Sequence, residues 1–309
     1  MENTAASTPA KVGPKPAWLR RPLSQAGDFE ATGHKIGANG LHTVCASAMC
    51  PNRFECWDRR VATFLVGGNR CTRACRFCAV ETGHPSPLDP DEPARVADAA
   101  VSLGLRHVVV TMVTRDDLHD GAAMHVGSVI KALRAKNVGG IVEVLVSDFG
   151  GNRGSLETVL AAEPDIFGHN LETVRRLTHQ VRCKASYERS LSVLAEAKKI
   201  RPETKFKSGI MLGLGESENE VEETLRDIAE TGCEMVTMGQ YLQPTARHLP
   251  VAEWINPAKF DAWKLLAEKM GFQHVSSGPL VRSSYYADAV NLLAIRGRNE
   301  INKQNRAVF

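Results

Sequence analysis

The sequence lacks any long hydrophobic run, and no stretch approaches the roughly 18 consecutive apolar residues that a membrane span needs. Residues 1–16 contain no hydrophobic segment, so no secretory signal peptide is predicted. The same residues contain no arginine, whereas organellar transit peptides are typically rich in it. With no export or import signal, the expected location is the cytoplasm, where reducing conditions leave cysteine thiols free to bind metal.

The sequence also lacks a strong excess of charge of either sign. Its 38 Lys and Arg residues against 35 Asp and Glu residues leave a net charge of +3, which is too small to indicate a nucleic-acid partner. The 43% hydrophobic and 24% charged residues are typical of a globular protein. No long exposed apolar face is evident, so a monomer is expected.

Cysteine is distributed unevenly, since six of the eight fall between Cys45 and Cys78. They form a first triplet, Cys45-x4-Cys50-x5-Cys56, and a second triplet, Cys71-x3-Cys75-x2-Cys78. Three closely spaced thiolates suit a cubane iron–sulfur cluster and leave one coordination position for another ligand. A zinc site would need four Cys or His ligands, usually as two CxxC pairs, and only Cys75 and Cys78 have that spacing. Disulfides are the plainer alternative.

A regular alternation of strands and helices is predicted after the first triplet. Apolar, β-branched segments indicate six buried strands, at residues 61–66, 107–113, 141–146, 165–167, 206–212 and 235–238. Proline, glycine and capping residues mark helices at 93–104, 121–136, 155–162, 187–200, 217–232 and 256–271, with a shorter one near 29–36. Strands that are apolar throughout, with helices between them, favour a parallel sheet covered on both faces.

The predicted fold class is α/β, a partial (β/α)6 TIM-like barrel with N- and C-terminal extensions over the barrel mouth. Eight units would close a barrel, and six leave it open. A doubly wound open sheet is the alternative, although no Gly-x-Gly-x-x-Gly opens the first helix. The expected domain organisation is a disordered lead-in at 1–16, an N-terminal extension with the first triplet at 17–60, the barrel at 61–275 and a C-terminal extension with an Arg-Ser-Ser-Tyr motif at 276–309.

Polar residues follow each predicted strand, and the second triplet follows the first of them. In parallel α/β folds, ligands bind beyond the carboxyl ends of the strands. The second triplet, with Phe77 directly before its last cysteine, resembles the radical S-adenosylmethionine (SAM) superfamily. The first triplet, within CPNRFECW at 50–57, narrows the resemblance to the lipoyl synthases. Further matching stretches are TFLVGGNRCTRACRFCAV (63–80), RDDL (115–118), HNLETV (169–174), YERSL (187–191), KSGIMLGLGE (207–216), QYLQPT (240–245) and SGPLVRSSYYA (277–287).

The resemblance covers about residues 17–290 and implies a function. In the radical SAM superfamily, three thiolates hold a 4Fe–4S cluster whose fourth iron binds SAM, and reduction yields a 5′-deoxyadenosyl radical. Lipoyl synthases insert two sulfur atoms, at C6 and C8 of an octanoyl chain on a lysine of a lipoyl carrier domain. The sulfur comes from a second, auxiliary 4Fe–4S cluster that is sacrificed.

By resemblance, Cys71, Cys75 and Cys78 hold the radical-forming cluster. The first triplet holds the auxiliary cluster, with Ser284 as the fourth ligand and Ser283 as the runner-up. SAM carries an ammonium and a carboxylate, which need oppositely charged or amide partners. The residues expected to bind it are Phe77, Asp116, Asp117, Asn170 and Arg189, while Lys207 and Glu216 either do the same or fix loops.

The expected partners are octanoylated lipoyl domains of 2-oxoacid dehydrogenase E2 subunits, the glycine cleavage H protein, and a flavodoxin or ferredoxin as electron donor. No nucleic-acid or membrane partner is expected. Arg175 departs from the family pattern, in which many relatives have proline. Cys183 and Cys233 lie outside both triplets; Cys183 is predicted to be a structural or surface thiol, and Cys233 is predicted to be buried. Two alternatives stay open, a methylthiotransferase-like radical enzyme and a two-cluster electron carrier without catalytic activity.

Overall fold

The computed structural model describes residues 13–20, 28–58, 61–136, 138 and 140–285. Most of the predicted lead-in and the C-terminal extension beyond Tyr285 lie outside these residues. The strands are β1 (His42–Thr43), β2 (Thr63–Val66), β3 (Arg70–Cys71), β4 (Glu81–Thr82), β5 (His107–Met112), β6 (Ile141–Leu145), β7 (Ile166–Gly168), β8 (Lys205–Leu212), β9 (Met235–Gln240) and β10 (His274–Gly278).

Eight of these strands form one sheet in the order β1-β2-β5-β6-β7-β8-β9-β10. Every pair from β2 to β10 is parallel, and β1 runs antiparallel to β2. The six predicted strands are therefore confirmed. Their spatial order follows the chain without reversal, so the doubly wound alternative, which requires a reversal, is wrong. Within the described chain the sheet stays open, because β1 and β10 each pair on one side only.

The strand β10 is an addition that the sequence analysis missed. It pairs with β9 in register from His274 opposite Met235 to Gly278 opposite Gly239. Its sequence, HVSSG, contains one apolar residue, Val275, and so has neither the alternation nor the continuous apolar run of a buried strand. The boundary predicted at residue 276 falls inside this strand.

The described chain contains ten α-helices, and those that alternate with the parallel strands cover one face of the sheet and bury its apolar side chains. The ten helices are α1 (Asp28–Ala38), α2 (Val44–Ser47), α3 (Arg53–Asp58), α4 (Glu92–Ser102), α5 (Ala123–Ala135), α6 (Arg153–Leu160), α7 (Arg175–Val181), α8 (Tyr187–Ile200), α9 (Glu218–Glu230) and α10 (Pro257–Lys269), with 3-10 turns at Ala17–Leu19 and Phe149–Gly151. The capping box between Ser217 and Glu220 is present at the start of α9. Among the described helices, none combines the length and apolar character that crossing a bilayer requires.

Candidate active site

The carboxyl ends of the parallel strands surround a large cavity. Its volume is about 510 Å³, within the ~300–1,000 Å³ typical of small-molecule sites. Side chains of β2 alternate between it and the core, since Thr63 and Leu65 face the cavity whereas Phe64 and Val66 pack under the helices. The fold thus opens its cavity at the edge where such sheets bind ligands.

Both predicted cysteine triplets reach this cavity. Its lining includes Cys45, Cys50, Cys71, Cys75 and Cys78. Cys56, on α3, is half-buried and packs against the core. Burial, reinforced by the neighbouring thiols, raises the pKa of Cys75 to about 12 and that of Cys78 to about 11. Such thiols stay protonated near neutral pH unless a metal takes the place of the proton.

The loop of the second triplet is joined to two strand ends by Arg73. Its guanidinium donates to both carboxylate oxygens of Asp116, after β5, at 2.7–3.2 Å and to Oδ1 of Asp148, after β6, at 2.7 Å. The Asp148 side chain is fully buried and also accepts from Arg189 at 3.2 Å. Burial opposes ionisation of Asp148, but the hydrogen bond from Arg73 holds its pKa at about 2. This charged chain fixes the position of the loop that carries the second triplet.

The residues predicted to bind SAM fall into two groups. Asn170 and Phe77 line the cavity. Asp116 and Arg189 belong to the chain around Arg73, and Asp117 is bound by Arg115 at 2.8–3.2 Å. The charges of this second group are therefore already paired within the protein.

The N-terminal extension and the Arg-Ser-Ser-Tyr motif meet at the cavity. Asn52, in the first triplet, donates to the carbonyl of Leu280 at 2.7 Å. The hydroxyl of Tyr285 donates to the carboxylate of Glu55 at 3.1–3.2 Å. Segments more than 220 positions apart are thus bonded directly. Ser283 and Ser284, which lie between Leu280 and Tyr285, are thereby brought close to the first triplet.

The two serines have different surroundings. Thr63 Oγ1 donates to Ser284 Oγ at 2.8 Å. Thr63 also lines the cavity with Cys45, whose segment pairs with β2 directly before it, with Thr43 opposite Phe64. The hydroxyl of Ser283 instead accepts from Asn170 Nδ2 at 2.8 Å. Ser284 is therefore the serine bonded to the strand that pairs with the segment before Cys45.

A buried ion pair inside the sheet supports the loop that carries Ser283 and Ser284, called the serine loop below. Lys207 Nζ lies 2.7 Å from Glu143 Oε1 and donates to the carbonyl of Ser283. His107 contacts the other oxygen of Glu143 at 2.9 Å. Burial opposes the ionisation of Glu143, but Lys207 and His107 hold its pKa at about 2. Lys207 therefore fixes a loop, one of the two roles expected for it.

Two cysteines outside the triplets differ in position. Cys233 is buried, as predicted, and its thiol lies 3.2 Å from the carbonyl oxygen of Phe206. Cys183 is half-buried next to the second triplet, where its sulfur accepts from the Ala74 N–H at 3.0 Å.

The residues at the first triplet fit an iron–sulfur cluster. In the described chain, no three His, Cys, Asp or Glu side chains converge as they would around a single metal ion. A cubane does not require this, because each thiolate binds a different iron. The indole N–H of Trp57, which directly follows Cys56 in the chain, is buried without a hydrogen-bond acceptor among the described residues. A buried donor without a partner is uncommon, and the sulfurs of a cluster would supply an acceptor.

Several residues that build this site were not identified from the sequence. Arg73 and Asp148 form the charged chain, Thr63 is bonded to Ser284, and Glu143 pairs with Lys207. Arg73 lies inside the second triplet, and a charged residue there was the available signal. Thr63 and Glu143 were further signals, since each is an isolated polar residue in a mostly apolar strand. A polar residue buried in a strand needs a hydrogen-bond partner.

Comparisons with known proteins agree with the geometry. The model of the radical SAM superfamily matches residues 65–228. Among solved structures, the FeFe-hydrogenase maturase HydG from Carboxydothermus hydrogenoformans is similar with a TM-score of 0.55 at 13% identity, covering 87% of this chain and 78% of that one. Streptococcus suis SuiB bound to its precursor peptide SuiA has a TM-score of 0.53 at 10% identity, covering 81% and 52%. These likenesses show the fold.

Curated relatives narrow the family. A lipoyl synthase of Caldanaerobacter subterraneus subsp. tengcongensis is 54% identical, over 92% of this chain and 99% of the relative. Another, from Symbiobacterium thermophilum, is 52% identical over 94% and 90%, and one from Thermus thermophilus is 49% identical over 91% and 87%. With two cysteine triplets at one cavity and this similarity along nearly its whole length, the chain belongs to the lipoyl synthase family of the radical SAM superfamily.

Proposed function

We propose that the protein inserts two sulfur atoms, at C6 and C8 of an octanoyl chain attached to a lysine of a lipoyl carrier domain. The observation that carries this proposal is the meeting of the second triplet, Cys45 and Cys50 of the first triplet, and Ser284 at one cavity. The cofactors of the family are SAM and two 4Fe–4S clusters. When bound, they supply the radical and the sulfur.

The second triplet is proposed to hold the radical-forming cluster. Cys71, Cys75 and Cys78 are its ligands, and Arg73 keeps their loop in place. Asn170 and Phe77 line the cavity, so we assign them direct contact with SAM. Asp116 and Arg189 act through the charged chain around Arg73, while Asp117 acts through Arg115.

The first triplet and Ser284 are proposed to hold the auxiliary cluster. The bond from Thr63 supports Ser284 over Ser283, because it joins the Ser284 oxygen to a strand position that lines the cavity with Cys45. An alkoxide is a harder ligand and a poorer match to iron–sulfur chemistry than a thiolate. Such a ligand suits a cluster that must be dismantled during turnover.

Apolar strand residues supply the surface for the octanoyl chain. Leu65, Val109, Leu145, Ile210 and Met211 line the cavity alongside the cysteines. Buried apolar surface stabilises a bound alkyl chain by about 0.8 kcal/mol for each CH₂. The same lining excludes water from carbon atoms that are to become radicals.

The remaining assignments concern partners and location. The carriers are octanoylated 2-oxoacid dehydrogenase E2 subunits and the glycine cleavage H protein, and a flavodoxin or ferredoxin donates electrons. The protein acts as a monomer in the cytoplasm. Its domains are proposed to be the lead-in at 1–16, the N-terminal extension at 17–60, the barrel at 61–275 and the C-terminal extension at 276–309.

The test is anaerobic reconstitution with iron and sulfide, followed by SAM, a reductant and an octanoyl-lysine peptide. Mass spectrometry should show singly and then doubly thiolated product. Ser284→Ala should lower auxiliary iron and thiolation together, whereas its matched control, Ser283→Ala, should retain both. Deoxyadenosine without thiolated product would reject sulfur insertion and leave only radical formation.

A further inference from the structure

Three exposed cations near the second triplet lack a charged partner. Arg76, Lys184 and Arg247 are exposed, and their side chains form neither an ion pair nor a hydrogen bond within the chain that the structure describes. The carboxylates nearest along the chain to Arg76 and Lys184 are Glu81 and Glu188, and each is paired with another arginine. The positive charges of the three residues are therefore available to a partner outside the chain.

Backbone hydrogen bonds hold these cations on adjoining segments. The Arg76 N–H donates to the carbonyl of Val181 at 2.9 Å, and the Arg76 carbonyl accepts from the Leu249 N–H at 3.0 Å. Lys184 follows Val181 by three positions, and Arg247 precedes Leu249 by two. Three segments thus meet at Arg76, and the three exposed cations on them are called the cationic patch below.

The backbone of Lys184 is strained. Its φ of 59° lies in the left-handed region, which favours glycine over any residue with a Cβ. The Sγ atom of the preceding Cys183 accepts from the Ala74 N–H at 3.0 Å, so this strained turn lies against the loop of the second triplet. A strained lysine that touches no other charge indicates that its side chain has a function.

The cationic patch lies on the side of the triplet loop that faces away from the cavity. The cysteines of the second triplet line the cavity, whereas Ala74 and Arg76, on either side of Cys75, are exposed and do not line it. Lys184 and Arg247 are likewise absent from the lining. A protein bound at the patch would therefore contact the outside of the loop that holds the cysteines, and not the surface that receives the octanoyl chain.

We propose that the cationic patch is the docking surface for an acidic one-electron carrier protein, which reduces the cluster of the second triplet. This inference rests on the proposed function, in which that cluster must gain an electron from outside the chain. One electron leaves the reduced carrier and enters the cluster, and no covalent bond forms or breaks in this step. Unpaired cations attract an acidic surface and accelerate its association. An octanoylated lipoyl domain fits the patch less well, because its acyl-lysine arm has to enter the cavity.

The experiment uses the full chain with both clusters reconstituted anaerobically and a bacterial flavodoxin as the probe. Biolayer interferometry gives the Kd, and stopped-flow absorbance gives the rate of electron transfer from the flavodoxin hydroquinone. In Lys184→Glu/Arg247→Glu we expect the Kd to rise about tenfold, which corresponds to about 1.4 kcal/mol. The rise should shrink in roughly 1 M salt, where the screening length falls to ~3 Å. Thiolation driven by dithionite should stay at the parental rate, because this small reductant needs no docking surface.

Lys131→Glu/Lys269→Glu is the matched control for net charge. Both lysines are exposed on helices, α5 and α10, and neither forms an ion pair among the described residues. This variant changes the net charge by the same amount and should keep the parental Kd. Lys184→Gly removes one charge where the backbone favours glycine, so it decides the question if the double variant at the patch does not fold. Its Kd should rise about threefold.

Each contrary result has a separate meaning. A parental Kd in Lys184→Glu/Arg247→Glu at low salt, or an equal rise in the control variant, would overturn the docking surface and leave the proposed function standing. Weaker binding of an octanoylated lipoyl domain with unchanged flavodoxin affinity would also overturn it, because the patch would then serve the acyl carrier. A parent that binds no iron on the second triplet would overturn the proposed function and this inference together.

Discussion

Replacing Arg73 by methionine should destabilise the protein through Asp148. The guanidinium side chain is 6% exposed and the Asp148 carboxylate is fully buried, with 2.7 Å between Nη2 and Oδ1. Removing one partner of a buried ion pair costs about 3–5 kcal/mol, because the other charge is left without compensation. Asp148 keeps the hydrogen bonds from Arg189 and the Gly150 N–H. We therefore expect a smaller loss, about 2–4 kcal/mol, in the free energy of unfolding.

The loss should depend on pH with a definite sign. Arg73 depresses the pKa of Asp148 to about 2, whereas an unfolded aspartate titrates near ~3.9. A depressed carboxyl pKa stabilises the folded state above the unfolded value, and this stabilisation disappears as the pH falls towards 2. The difference between the parent and Arg73→Met should therefore be full at pH 7 and shrink below about pH 4.

Urea unfolding of the metal-free protein measures this difference, and Arg70→Met is the matched control. Arg70 lies in the same loop and pairs with Glu81, but both side chains are at least half exposed, so its pair contributes only about 0–1 kcal/mol. Equal losses for the two variants, or a loss for Arg73→Met that persists unchanged at pH 3, would refute the reasoning. The variant should also bind less iron on the second triplet, because its loop is no longer joined to β5 and β6.

Three further variants test the support of the serine loop. Lys207→Met should lower the free energy of unfolding in urea by about 2–4 kcal/mol, because it removes the lysine partner of the buried Glu143 carboxylate. The double variant Lys207→Met/Glu143→Met should recover much of this loss. If it recovers no stability, the loss is not caused by an uncompensated charge. Thr63→Val removes the hydroxyl that donates to Ser284, so the free energy of unfolding should fall by about 1 kcal/mol and less iron should bind at the first triplet. Thr63→Ser keeps the hydroxyl and should retain both the stability and the iron. Equal iron in the two variants would argue against the bond. Gly239→Ala would place a Cβ 2.1 Å from the Val281 carbonyl oxygen. The loop that contains Val281, Arg282 and the two serines should therefore be displaced, and trypsin should cleave faster after Arg282. Unchanged cleavage would show that the close approach of Gly239 does not hold this loop in place.

The six strands can be predicted from the sequence, and the two cysteine triplets can be located in it, for separate reasons. The six predicted strands are mostly apolar because helices cover one face of the sheet and a cavity of mixed character lies on the other, so each has a strong local signal. The strand β10 has a single sheet neighbour and little apolar content, so its position depends on pairing with β9 rather than on composition. The triplets are recognisable because coordination requires short spacing in the chain.

The side-chain contacts that hold the loop of the second triplet in place cannot be predicted in the same way. Arg73 meets Asp116 and Asp148 across 43 and 75 positions, and no local pattern specifies which carboxylates a buried arginine selects. By resemblance, Asp116 and Arg189 are expected to bind SAM, whose ammonium and carboxylate need oppositely charged partners. In the folded chain these charges compensate one another, since burying any of them alone would be too costly.

The short strand β2 explains how two distant cysteine groups share one cavity. Thr63, at its start, is bonded to Ser284 and lines the cavity with Cys45, while the loop that begins after Val66, at its end, carries the second triplet. A strand advances about 3.3 Å per residue, so four residues set a spacing that a flexible linker could not maintain. The strand β1 also helps to fix this spacing, because its antiparallel pairing with β2 holds the chain directly before Cys45. The separation of the two proposed clusters is therefore set by backbone hydrogen bonds, and the C-terminal serine loop only has to reach one end of that strand to complete the auxiliary site.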